Sequence, residues 1–178
     1  RTYVDVTLPV GTCEGDYNIE TCNFAHFVTD VVVKAPGGVG EDTDGGDVMA
    51  VVGYRAGMLE DVSGDFVHSE GNGVYVSSTG EAGTFERLTG LDDAAGGQER
   101  LGRIELGPAT GDEQNHDIVY AIVEDAVLFN GGRLLEIIPE GLDPVGLPTP
   151  TFLNGVYVSE DFGQTWSVLA DDTELATL

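Results

Sequence analysis

Asn154-Gly155-Val156-Tyr157-Val158-Ser159-Glu160-Asp161-Phe162-Gly163-Gln164-Thr165-Trp166 is the stretch whose reading decides the rest of the chain. Its first half alternates Val156 and Val158 against Tyr157 and Ser159, the period-2 pattern of a strand. The pattern breaks at Glu160-Asp161-Phe162-Gly163. An Asp side chain accepts hydrogen bonds from backbone N–H groups a few residues ahead, and a Gly takes the positive φ of a tight reversal. Thr165 and Trp166 restart an extended run through Ser167-Val168-Leu169, with the indole as a large apolar anchor. The stretch predicts a β-hairpin whose turn carries its own fastening.

Working outward, Asn72-Gly73-Val74-Tyr75-Val76-Ser77 repeats Asn154–Ser159 residue for residue. Upstream, Asp47–Val52 resembles Asp117–Ile122, and Val31–Pro36 resembles Arg103–Pro108. Matched strands in the same order predict two copies of one four-stranded unit. The strands fall near 28–35, 47–55, 73–78 and 84–89 in the first copy, and near 102–107, 117–124, 154–160 and 165–170 in the second. The interval between second and third strands is longer in the second copy, which places an insertion at 129–151. Pro139, Pro144, Pro148 and Pro150 give that insertion an extended, non-helical path. Such a loop either covers its neighbours or carries binding. The hairpin of the first copy is degenerate. Ser77, Gly83 and Thr84 persist, Thr79 stands where the acid should be, Phe85 takes the place of the indole, and one residue is inserted.

The pattern Ser159-x-Asp161-x-Gly163-x-Thr165-Trp166 resembles the Asp-box, or bacterial neuraminidase repeat. That repeat marks β-propeller blades in sialidases, xyloglucanase-type glycoside hydrolases, sortilin-type receptors and photosystem assembly factors. The resemblance implies an all-β chain of β-propeller blades, each of four antiparallel strands, with about two blades present. In those families the box fastens a hairpin away from the reacting centre. Ser159, Asp161, Gly163, Thr165 and Trp166 are then structural, as are Ser77, Gly83, Thr84 and Phe85. On this reading residues 1–27 hold the terminal strand of a preceding blade (Thr2–Leu8) and a cysteine loop. A blade with the degenerate box spans 28–90, and a second with the full box and the insertion spans 91–178. Propellers close with about four to eight blades. The chain is therefore expected to be part of a larger propeller, or to need further copies to complete one. The family's sialidases imply an arginine triad and a Tyr–Glu nucleophile pair. None of Arg1, Arg55, Arg87, Arg100, Arg103 and Arg133 sits in their Phe-Arg-Ile-Pro context.

Composition narrows the partners. A 41% hydrophobic fraction suits a globular fold, and 26 glycines suit many short strands and turns. With 32 acidic against 7 basic residues the net charge is −25, and Lys34 is the only lysine. Such a surface repels nucleic acid and anionic membrane and favours cations and high salt. No apolar run approaches the roughly 18 residues of a membrane span, so membrane insertion is not expected. Cys13 and Cys22 close one acidic loop and read as a disulfide, with free buried thiols as the alternative. The disulfide would imply an extracellular or cell-surface location. Asp42, Asp44 and Asp47 alternate with glycines in a way that could hold Ca²⁺, or form a solvated acidic turn. His26, His68 and His116 are scattered, without metal-ligand spacing.

The expected function is a secreted or cell-surface module with a binding or structural role toward proteins, glycans or further blades or copies. No catalytic residue is assigned. One alternative is part of a glycoside hydrolase, which needs two carboxylates about 5–9.5 Å apart across a sugar cleft. The other is a calcium-stabilised surface-layer or filament component.

Overall fold

The computed structural model describes residues 28–40, 43–53, 58–60, 66–68, 71–127 and 152–171. The Cys13–Cys22 loop, Asp42 and the insertion at 129–151 lie outside them. The chain is all-β, built mainly from two four-stranded antiparallel sheets. The first four strands are β1 (Val28–Val33), β2 (Val48–Val52), β3 (Met58–Glu60) and β4 (Phe66–His68), followed by β5 (Gly73–Ser77) and β6 (Glu86–Leu88). Sheet I runs β1-β2-β5-β6, and β3 pairs with β4 in a hairpin between β2 and β5. A link of one short helix, α1 (Gly90–Ala95), and a 3₁₀ turn (Gln98–Arg100) leads to sheet II. That sheet takes β7 (Leu101–Pro108), β8 (Val119–Asp125), β9 (Leu153–Ser159) and β10 (Ser167–Asp171) in chain order.

The four strands expected in each copy are present, and both sheets are simple meanders. The β3–β4 hairpin and α1 were not expected. The helix forms because Leu91 and Ala95, one turn apart, are both buried, while Asp92 and Asp93 suit the positive end of the helix dipole. Gly96, at φ +84°, ends it in the left-handed conformation, and the Gly97 N–H returns to the Asp92 carbonyl at 2.9 Å.

The sheets stack on one core. Val32, Met49, Val51 and Val74 of sheet I meet Ile104, Val119, Ala121, Val123 and Tyr157 of sheet II, with Leu91, Leu101, Phe162 and Trp166 in the same cluster. Each aliphatic side chain fully buried there contributes about 1.5–3 kcal/mol. A smaller cluster of Ala50, Val52, Tyr75 and Phe85 lies on the other face of sheet I.

Strand pairing corrects the alignment of the two copies. Tyr75 pairs with Ala50, and its counterpart Tyr157 pairs with Ala121. Ala50 therefore corresponds to Ala121, whereas the sequence comparison matched it with Tyr120. Val31 pairs with Ala50 and Leu106 with Ala121, so Val31 corresponds to Leu106 and not to Arg103. A slip of one residue exchanges the faces of a strand. In the corrected register the sheets face the same way. The Ala121/Tyr157 face of sheet II looks toward sheet I, and the Ala50/Tyr75 face of sheet I looks away from sheet II. The stack is head to tail.

Candidate functional site

Three connections converge at one end of the stack: β1 to β2, β7 to β8 and β9 to β10. The last of these is the hairpin turn predicted at 159–166. Ser159, buried at the end of β9, accepts hydrogen bonds on Oγ from the N–H groups of Gly163 at 2.7 Å and Asp161 at 3.3 Å. It donates to Asp161 Oδ1 at 2.9 Å. Asp161 then closes the turn, accepting from Thr165 N at 2.8 Å and Thr165 Oγ1 at 2.6 Å. Phe162 and Gly163 take φ of +50° and +92°, and Trp166 Nε1 donates to the Gly163 carbonyl at 3.0 Å. Burial alone would push the Asp161 carboxyl up. The bonds from the Thr165 hydroxyl and amide and from Ser159 outweigh it, and hold the group below the usual carboxylate range.

The turn is also seated on its neighbours. Phe162 N donates to the Asp117 carbonyl at 2.8 Å. A Cβ at Gly163 would stand 2.6 Å from Met49 Cε, so the chain passes closer to sheet I than a side chain allows.

In the first copy, hydroxyls replace the carboxylate. Ser77 Oγ accepts from Thr79 N at 3.2 Å and Gly80 N at 2.8 Å and shares a bond with Thr84 Oγ1. Thr79 Oγ1 accepts from Glu81 N at 3.3 Å and donates to Thr84 Oγ1 at 3.1 Å. Gly83, at φ +79°, supplies the reversal, and Phe85 buries against the Ala50/Tyr75 face.

Between these connections lies a cleft of about 510 Å³, lined by Lys34, Asp47, Asn115, Asp117, Glu160 and Gln164, with Asp161 and Phe162 also at its wall. Lys34 is buried, with its ammonium 2.5 Å from Asp117 Oδ1 and 5.8 Å from the centre of the Phe162 ring. A charge so placed needs its partner, since desolvating it alone costs several kcal/mol. Two carboxylates of the cleft are thus committed to the fold, Asp117 to Lys34 and Asp161 to Thr165. His116 ties the connections together from behind, its ring nitrogens each 3.0 Å from a carbonyl oxygen, of Ala35 and of Gly111.

At the opposite end, the Asn that opens each repeated segment anchors the link between the sheets. Asn72 Nδ2 donates to the Leu101 carbonyl at 2.7 Å, and Asn154 Nδ2 donates to Asp125 Oδ2 at 2.9 Å and the Ala95 carbonyl at 3.2 Å. Arg100 pairs with the same Asp125. Arg87 pairs with Asp92 at 2.8 Å, whose carboxyl is raised by burial, an effect that Arg87 partly offsets.

The five residues expected to form a full box and the four expected to form a degenerate one therefore each gather at a turn. Of the candidate calcium residues, Asp44 and Asp47 are among the described residues and Asp42 is not. Asp44 is exposed, Asp47 lines the cleft, and among the described residues no three His, Cys, Asp or Glu side chains are grouped to hold a metal. Sequence reasoning missed the Lys34–Asp117 pair. Its one available signal was a solitary lysine closing the apolar run Val31-Val32-Val33. No family model, curated protein or solved structure matches the chain.

Proposed function

We propose that the chain is a pair of Asp-box β-propeller blades, and that it acts as a structural or binding module outside the cell or at its surface. The observation that carries this reading is the closed network of Ser159, Asp161, Gly163, Thr165 and Trp166, a turn whose chemistry fastens a hairpin and commits the Asp161 carboxylate to it. Two four-stranded meanders stacked head to tail, with first strands β1 and β7 against each other, support it further. So does the net charge of −25, which suits a solvated extracellular surface.

A second reading, part of a glycoside hydrolase, draws on Asp47 and Glu160, which line the same cleft. Hydrolysis assays separate the two. The chain is incubated with aryl glycosides and xyloglucan oligosaccharides while binding of the same glycans is followed by calorimetry. Binding without turnover, or neither, agrees with a module. Turnover that Glu160→Gln or Asp47→Asn abolishes would replace it with the hydrolase.

A further inference from the structure

Three buried polar atoms have no hydrogen-bond partner among the described residues: Asn72 Oδ1, Arg87 Nε and Asp92 Oδ1. They come from the approach to β5, from the middle of β6 and from the first turn of α1. Asn72 is 1% exposed and Asp92 8%, so bulk solvent does not serve them. Folded chains leave very few such groups bare.

The repeated hexapeptide supplies an internal comparison. In the second copy the Tyr157 hydroxyl donates to Asn154 Oδ1, so that asparagine is satisfied at both ends of its amide. In the first copy the matching hydroxyl turns aside. Tyr75 Oη donates to the Gly71 carbonyl at 2.7 Å, and Asn72 Oδ1 goes without the donor that Asn154 receives. Asn72 Nδ2 is meanwhile committed to the Leu101 carbonyl.

The three atoms border one guanidinium. Arg87 Nη2 donates to the Asn72 carbonyl at 2.9 Å and meets Asp92 Oδ2 at 2.8 Å, with Nε on the same rigid plane. The group also lies against the backbone of Gly73, where a Cβ would stand 2.9 Å from Nη2 and 3.2 Å from Nε. Whatever completes this arrangement must donate twice, to the two oxygens, and accept once, from Nε. It must also be neutral, because Arg87 and Asp92 already balance each other. A cation would face the guanidinium, and an anion would face the two bare oxygens. Water has two donors and two acceptor lone pairs, and buried waters make about three hydrogen bonds each.

We propose that one water molecule is held here, accepting from Arg87 Nε and donating to Asn72 Oδ1 and Asp92 Oδ1. It completes the joint at which sheet I, α1 and, through Asn72, the start of sheet II come together. The site has no counterpart at Asn154, and it goes beyond the module reading without depending on it.

A crystal structure of the full chain is expected to show ordered solvent about 2.7–3.2 Å from all three atoms, and none bridging Asn154 Oδ1. In solution, water–protein NOE spectroscopy on the nitrogen-15-labelled full chain should give cross-peaks to the Arg87 Nε–H and the Asn72 side-chain amide. Arg87→Lys keeps the positive charge but deletes the Nε–H, so the Asn72 cross-peak should lose most of its intensity. Glu81→Gln, at an exposed turn, should leave it unchanged. Burial raises the Asp92 carboxyl, an effect that Arg87 partly offsets, so a protonated Oδ1 donating directly to Asn72 is the rival arrangement. Solvent-free density with Asp92 and Asn72 in direct contact, a missing cross-peak, or an Asn72 cross-peak undiminished in Arg87→Lys would each overturn the proposal. If Arg87→Lys does not fold, the wild-type density and cross-peaks decide alone.

Discussion

Asp161 makes every bond that closes its turn to residues within four positions of it, which is why the turn was legible from the sequence. Asp161→Ala should cost about 1–2 kcal/mol in urea unfolding, the lower part of the range for bonds to a charged group, because the site is open to solvent. The pH dependence has a definite sign. The folded carboxyl is held below its unfolded value of about 3.9. Its contribution is therefore complete above that value and is lost as pH falls through the folded one. The stability gap between wild type and Asp161→Asn should be constant from neutrality to about pH 5 and then close on further acidification. A gap that widened in acid would contradict the bonding described. Lys34 and Asp117 show the opposite kind of site. They lie in connections beside strands of different sheets, so no local pattern announces them, and only the fold joins them. Lys34→Met should cost about 3–5 kcal/mol by leaving Asp117 without its counter-charge, and Lys34→Met with Asp117→Leu should recover much of that loss. Thermal melts of the single and double variants decide it.

At the scale of elements, the β9–β10 turn couples the two sheets through the absence of a side chain. Gly163→Ala places a Cβ against Met49 and forces a non-glycine residue to φ near +92°, for an expected loss of about 1–3 kcal/mol. Met49 ends in a flexible methyl, so it can absorb part of the clash. Gly163→Ala should consequently cost less in a Met49→Ala background, and a double-mutant cycle should give a coupling of about 0.5 kcal/mol or more. Simple additivity would mean that backbone strain alone sets the cost. The strands themselves were legible, but their register was not, and Val48-Met49-Ala50-Val51-Val52 shows why. Met49 and Val51 pack on sheet II while Ala50 and Val52 pack on the other side, so both faces are apolar and no polar alternation marks the inward one. The strand had to be seen paired with Tyr75 before its faces could be assigned. Helix α1 escaped notice for a related reason: six residues are too few for helical periodicity to stand out.

For the whole molecule, charge is the dominant unsatisfied term. A net −25 on 178 residues makes the compact state repel itself, while Lys34, Arg87 and Arg100 are already paired within the fold. Raising NaCl from about 0.1 M to about 1 M shortens the Debye length from about 10 Å to about 3 Å, so the melting temperature should climb across that range. The origin of the climb can be tested with divalent ions. Mutual repulsion is general and does not distinguish one hard divalent cation from another. A calcium site does, because calcium accepts six to eight oxygens in flexible geometry whereas magnesium demands a near-ideal octahedron. Equal concentrations of Ca²⁺ and Mg²⁺ should then raise the melting temperature alike, in keeping with an exposed Asp44 and an Asp47 that faces the cleft. An additional rise specific to calcium, removed by Asp44→Asn and Asp47→Asn, would instead return the acidic connection between β1 and β2 to the role of a metal site.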